Sequence, residues 1–273
     1  MTQKNHKKIL LANDDGIDSP GLLALWEALE CMGQLIVVAP MHNQSGKGLS
    51  VSCVHDIKAE RASWPKKTEA WKVLGTPVDC VNFALHALQV PPDFIISGIN
   101  DGLNAGGNAR FSGTVGAALQ GAMHGIPSVA FSCSIDHIES YQFILPYIQK
   151  ITSHFMHNSM PTGTAMNVNF PHNAKNIVGF RMATQGKNYW TIKKYTEYSS
   201  DQEIVYPHSH GWTDSHKESQ DSDIFLLQKG FITCVPLCLC DLTDYKNHDK
   251  LKFSFEEKLN ATISASTEKE IYQ

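Results

Sequence analysis

The stretch KILLANDDGIDSPGLLALWEALECMGQLIVVAP, residues 8–40, decides the fold. Its first apolar run, KILLA, stops at Asn13, Asp14 and Asp15. Asp18 or Ser19 then stands where a helix cap belongs, and Pro20 suits a first helical turn. GLLALWEALECMG carries apolar side chains at helical spacing and ends at Gly33. QLIVVAP is a second apolar run, halted by Pro40. Strand, helix and strand in succession, with the strands apolar throughout, predict parallel strands covered on both faces.

The alternation continues outward from there. VDCVNFALHAL reads as a helix, DFIISGIN as a strand, SGTVGAALQGAMHG as a helix and IPSVAFSCS as a strand. ESYQFILPYIQKITSHFMHN reads as a longer helix with Pro146 inside or near its start, and TAMNVNFP as the next strand. Residues 184–222 are polar, rich in Lys, Tyr, Ser and His, and lack a period, which predicts a hairpin or arm suited to subunit contacts. SDIFLLQKG then resembles a short helix and FITCVPLCLC a strand returning to the domain, while FEEKLN opens a helix that runs into a tail. The expectation is an α/β protein with a Rossmann-like, doubly wound, mostly parallel sheet over residues 1–183. A C-terminal extension over residues 184–273 belongs to the same unit and supplies a hairpin and tail for oligomer contacts.

With 273 residues, 42% hydrophobic and 18% charged, the chain is an ordinary globular one. A formal net charge of −4 argues against coating a nucleic acid polymer or an anionic membrane. The N-terminal apolar run is too short for a signal peptide, and no segment approaches the length of a membrane helix, so a cytoplasmic protein is expected. Seven cysteines, odd in number and without a CxxC pair, predict neither a disulfide scaffold nor a zinc knuckle. Cys234, Cys238 and Cys240 lie in an apolar run and read as small hydrophobes.

Ligands of open α/β sheets bind outside the carboxyl ends of the strands. There the sequence collects Asn13, Asp14 and Asp15, then Asn43 and Ser45 in MHNQSGKGLS, then Ser97, Asn100 and Asp101. These are hard oxygen donors, suited to Mg2+ or Mn2+ and not to zinc. A helix cap explains one aspartate of the pair, whereas the second, pressed against the first, calls for a cation. Ser112, Gly113 and Thr114 open a helix after a glycine-rich loop, an arrangement that suits phosphate. The loop is not a P-loop, since it lacks the GKS or GKT ending. Metal-assisted phosphoryl chemistry is the natural reading.

The motifs ANDDG, QSG, GTPVDCV, SGINDGLNAG and FSGTVGAALQG occur in this order, and the chain resembles the SurE survival proteins over residues 8–133. The likeness resumes in MNVNFP and SDIFLLQKGFITCVPL and is poor over residues 184–222. It implies a metal-dependent phosphatase acting on nucleoside 5′- and 3′-monophosphates, with exopolyphosphatase activity as an extension. It implies one divalent cation per subunit, Mg2+ or Mn2+, on Asp14, Asp15, Ser45 and Asn100, with Asp14 and Asp15 as the catalytic pair. Phosphate contacts fall on Asn104, Ser112, Gly113 and Thr114, and the assembly is a homodimer or homotetramer. Phe111 and Gln120 depart from the family's usual Tyr and Glu.

Two rivals stand beside this reading. A receiver-like signalling module also places adjacent acids after its first strand, but needs an Asp at the end of a later strand; here those strands end VVAP and SGIN. A non-catalytic nucleotide-binding module is the other. The DxDx[TV] spacing of aspartyl-phosphate enzymes is absent, so water is the expected nucleophile and either aspartate a candidate base.

Overall fold

The computed structural model describes residues 7–89, 91–134, 138–192, 198–200, 203–205, 210–213, 216–239, 242–245, 247–248, 250–252 and 255–260. In chain order they form β1 (Lys8–Ala12), α1 (Pro20–Leu29), β2 (Gln34–Pro40), β3 (Lys58–Arg61), β4 (Glu69–Leu74), α2 (Pro77–Asn82), β5 (Phe94–Asp101) and α3 (Gly113–Met123). There follow β6 (Ser128–Cys133), α4 (Leu145–His157), β7 (Thr164–Asn169), β8 (Gly179–Met182), β9 (Trp190–Ile192), β10 (Tyr198–Ser200), β11 (Glu203–Val205), β12 (His210–Trp212), α5 (Asp223–Gln228) and β13 (Phe231–Cys238). Residues Met1–Cys238 make one compact unit and Leu239–Gln273 another, in which residues 255–260 are helical and 261–273 lie outside the described residues.

Nine strands form one sheet in the order β3-β4-β2-β1-β5-β6-β7-β13-β8. From β4 to β7 every neighbouring pair is parallel; β3 runs antiparallel to β4, and β13 antiparallel to β7. The mostly parallel α/β fold expected from the sequence is therefore present. Alternation along β1 shows why its run is apolar throughout: Ile9 and Leu11 pack with Leu22 and Leu25 of α1 and Ile148 of α4, while Leu10 and Ala12 pack with Cys80 of α2 and Ala117 of α3. Both faces are covered, so neither can be polar.

Local chemistry sets the helix starts. Ser19, not Asp18, caps α1, its side chain accepting from the Leu22 amide at 3.2 Å. Thr76 and Asp79 form a reciprocal capping box on α2. The α-helical part of VDCVNFALHAL ends at Asn82 and passes into a π-helical turn over Phe83–Ala87. The long helix expected over 139–158 is two pieces, a 3-10 turn over Ile138–Phe143 and α4. Pro146 requires this, because a residue without an N–H is tolerated only in a first turn.

β3 and β4 are strands that periodicity does not announce. β3 is a four-residue edge strand reading KAER and almost wholly exposed, so no buried apolar row marks it. The arm region holds two antiparallel pairs, β9 with β12 and β10 with β11, closed by a bridge between Thr184 and Ser222. Cys234 is buried in β13 as expected of a small hydrophobe, Cys238 is exposed, and Cys240 lies outside the described residues.

Candidate active site

The carboxyl ends of β1, β5 and β6 meet the loop after β2 and the start of α3. Asn13 shapes the turn at the end of β1, its amide donating to the Gly16 carbonyl at 2.9 Å and to Ser19 Oγ at 2.8 Å. Asp14 is 3% exposed and faces α3. Its Oδ1 accepts from the Thr114 hydroxyl and its Oδ2 from the Gly113 amide at 3.0 Å. The Thr114 hydroxyl also lies 3.4 Å from Asn100 Oδ1, which links β5 to the same cluster. Gly113 is required by this contact. A Cβ there would stand 2.7 Å from Asp14 Cβ and 2.8 Å from Pro77 Cγ.

Asp15 is half-buried and held more loosely, by the Asp101 amide and by Asn43 Nδ2, each at 3.4 Å. The loop carrying Ser45 is tied down by the Gln44 amide on the Asp14 carbonyl at 2.7 Å and by the Ser45 amide on Asn43 Oδ1 at 2.9 Å. Ser45 itself is exposed, and Asn43 is the side chain of that loop that touches Asp15. Asn100 directs its amide nitrogen to the Gly102 carbonyl at 2.8 Å, leaving its Oδ1 toward Thr114.

Burial pushes the Asp14 carboxyl above the usual carboxylate range, opposed by the hydrogen bonds from Thr114 and Gly113. Burial likewise raises Asp15, to about 6, with the charges of Asp14 and Asp101 adding to it. The two ion pairs among the described residues, Lys66–Glu30 and Lys72–Glu60, lie elsewhere, so neither carboxylate has a cationic side chain beside it. Two acids under mutual repulsion, an amide oxygen and a nearby hydroxyl fit a hard divalent cation. No group of three or more His, Cys, Asp or Glu side chains suited to a metal exists among the described residues, so a cation here would have to draw on neutral oxygens beside the two carboxylates.

The phosphate candidates divide into two groups. Ser112 caps α3, accepting from the Val115 amide at 3.1 Å, and its hydroxyl proton has no acceptor among the described residues. Thr114 spends its proton on Asp14. Asn104 is anchored from every side: its amide donates to Asn169 Oδ1 at 2.8 Å, its side chain donates to Ser132 Oγ at 2.8 Å, and its carbonyl accepts from Asn167 Nδ2 at 2.8 Å. Two buried asparagines of β7 thus fix the loop that precedes α3. The only signal for them in the sequence is MNVNFP, whose polar residues interrupt a strand buried from Ala165 to Asn169. A third anchor, Asp223, is fully buried and accepts from the amides of Gly106 at 2.9 Å and Gly186 at 2.8 Å, joining the glycine-rich loop to the base of the arm.

The arrangement has relatives. The family model for survival protein SurE matches residues 9–192. A protein of Protochlamydia amoebophila named 5′-nucleotidase SurE is 40% identical over 260 residues, spanning 92% of this chain and 98% of the relative. One of the same name from Phocaeicola vulgatus is 35% identical over 254 residues, spanning 92% and 97%. The crystal structure of the SurE protein from Aquifex aeolicus superimposes with a TM-score of 0.76 at 32% identity, covering 90% of this chain and 98% of that one.

Proposed function

The chain belongs to the SurE survival protein family, and on that premise we propose that it is a metal-dependent 5′-nucleotidase, hydrolysing nucleoside monophosphates to nucleoside and phosphate. The observation that carries the reading is the pairing of Asp14 with the first turn of α3, which sets a carboxylate pair against a helix N-terminus at one sheet edge. Asp14, Asp15, Asn100 and Ser45 are the residues that would hold one Mg2+ or Mn2+ per subunit. A divalent cation there supplies charge compensation for phosphoryl oxygens and makes water a better nucleophile.

The chain's own groups do the rest. The Ser112 hydroxyl, at the positive end of α3 whose first amides are taken by Asp14 and by Ser112 itself, donates to a phosphoryl oxygen, and the loop anchored at Asn104 shapes the approach. Water adds to phosphorus, the bond from phosphorus to the sugar oxygen breaks, and the proton given up by water is balanced by one delivered to the leaving oxygen. Asp14 is buried and held closely by Gly113 and Thr114, whereas Asp15 is half-buried and its two bonds, from Asn43 and the Asp101 amide, are both long at 3.4 Å, so Asp15 is the carboxylate to receive the water proton.

Hydrolysis of 3′-monophosphates and of polyphosphate belongs to the same proposal, as do a cytoplasmic location and a homodimer or homotetramer built through the arm. Among the described residues no helix is long and apolar enough to cross a membrane. The test is phosphate release from 5′- and 3′-nucleotides and polyphosphate, with Mn2+ or Mg2+ and with chelator. Release that is indifferent to metal, or undiminished in Asp15→Asn, overturns the metal-dependent reading. A gel-filtration mass of one chain overturns the assembly.

A further inference from the structure

A cavity of about 430 Å3 opens beside Asp15, between the start of α1, Met41 of the loop after β2, Asp101 and Tyr141. Its volume is in the range of small-molecule sites. None of Asn104, Ser112, Gly113 and Thr114 lines it, so it is separate from the phosphate cradle while sharing Asp15 with the carboxylate pair. Its charged lining is entirely acidic: Asp15, Asp18 and Asp101, with no Lys, Arg or His. A phosphomonoester dianion is therefore repelled from it, and a neutral group rich in hydroxyls is not, because ionised carboxylates only accept hydrogen bonds.

Tyr141 gives the cavity a specific donor. The residue is 4% exposed, it borders the cavity, and its hydroxyl makes no hydrogen bond among the described residues. A buried tyrosine ordinarily finds a partner for its hydroxyl. Gly21 keeps the floor open, since a Cβ there would stand 2.9 Å from that hydroxyl and 2.1 Å from the Ile99 carbonyl oxygen. Burial, Cys133, Asp101 and Asp15 all push the phenol's pKa up, so it stays protonated and able to donate. Ile17 and Met41 add apolar wall.

We propose that this cavity is the leaving-group subsite, taking the sugar of the nucleoside through its hydroxyls: Asp18 and Asp101 accept from them and the Tyr141 hydroxyl donates to a sugar oxygen. The assignment rests on the nucleotidase reading for the phosphoryl end of the substrate, and it adds what selects the other end. A site built to hydrogen-bond hydroxyls discriminates strongly against a substrate that lacks them, because its buried polar groups are then left unpaired, so nucleoside monophosphates are the favoured substrates and polyphosphate a poor one.

The experiment compares AMP with 2′,3′-dideoxyadenosine monophosphate on the full chain with Mn2+, in wild type, Tyr141→Phe and Asp101→Asn. It also measures binding of adenosine alone by calorimetry. Wild type is expected to favour AMP by at least about tenfold in kcat/KM, and each variant to shrink that ratio and weaken adenosine binding by about tenfold, the effect of one lost hydrogen bond to a buried or charged partner. If the ratio and the adenosine affinity stay within about twofold of wild type in both variants, the subsite is overturned. Failure of wild type to bind adenosine or to prefer AMP overturns it as well. A chain that releases no phosphate from any substrate, yet binds adenosine in a Tyr141-dependent way, refutes the enzyme reading and leaves the sugar site standing.

Discussion

Replacing Gly113 by alanine isolates the contact on which the site depends. The new methyl would lie 2.7 Å from Asp14 Cβ, 2.8 Å from Pro77 Cγ and 3.0 Å from Asp14 Oδ2. Ordinary contact begins at 3.4 Å, so the neighbours must retreat by about 0.7 Å. Neither neighbour is the free end of a flexible chain, since Asp14 is buried in the turn just after β1 and Pro77 opens α2. Two energies compete. Alanine is favoured over glycine in a helix by at most about 1 kcal/mol, and less at the first position. Overpacking a buried contact costs about 1–3 kcal/mol. Overpacking wins, and the variant is expected to lose about 1 kcal/mol or more, read as a lower urea midpoint. The larger consequence is positional. Asp14 is pushed off the Thr114 hydroxyl, and displacements approaching 1 Å in a catalytic constellation cost about 100-fold in rate. Titration calorimetry with Mn2+ should show affinity falling by about 10- to 100-fold, the range seen when a ligand's support is removed. Wild-type Mn2+ affinity together with wild-type kcat/KM in Gly113→Ala would refute the claim that this glycine exists to admit Asp14.

Three further outcomes are expected. Asp223→Asn replaces one oxygen of the carboxyl group that accepts from the Gly106, Gly186 and Ile224 amides with an NH2 that cannot accept, leaving a buried N–H unpaired at about 1–3 kcal/mol, checked by denaturant unfolding. Burial holds the Asp223 carboxyl above its unfolded value of 3.8, so its protonated form is the one the fold prefers. Its contribution is fully present below 3.8 and is lost as pH rises through the folded value, so the wild-type advantage over the variant should shrink from pH 4 towards neutrality; an advantage that grows with pH contradicts this sign. Asn169→Ala frees the Asn104 amide, and steady-state kinetics should show kcat/KM down by about tenfold or more while β7 stays paired, as monitored by amide exchange. Ser19→Ala removes both the α1 cap and the partner of Asn13, and thermal unfolding should show a loss of about 1 kcal/mol, with no loss arguing that the Asn13 turn holds itself.

What could be read from the sequence was local. Apolar runs of strand length, a cap residue followed by proline and helical spacing are properties of ten or twenty consecutive residues, and they determine β1, α1, β2, β5, α3, β6 and β7 with little help from the rest of the chain. The carboxylates at the end of β1 and the Ser–Gly–Thr at the start of α3 are legible for the same reason: strand ends and helix starts are where an α/β sheet exposes its ligand groups. β3 escapes because an exposed, charged edge strand has no buried row to betray it.

Only the tertiary structure decided how those pieces act on one another. Gly113 meets Asp14 across 99 residues, Asn169 holds Asn104 across 65, and Asp223 reaches Gly106 across 117. Nothing in the neighbourhood of Gly113 says that its missing side chain makes room for a carboxylate, and nothing near Tyr141 says that its hydroxyl borders a cavity beside Asp15. Such pairings depend on register and on which face of the sheet each helix covers, and both are set by burying the whole core at once. The residue types that can do the chemistry were written in the sequence; which of them lie within reach of each other was decided by packing.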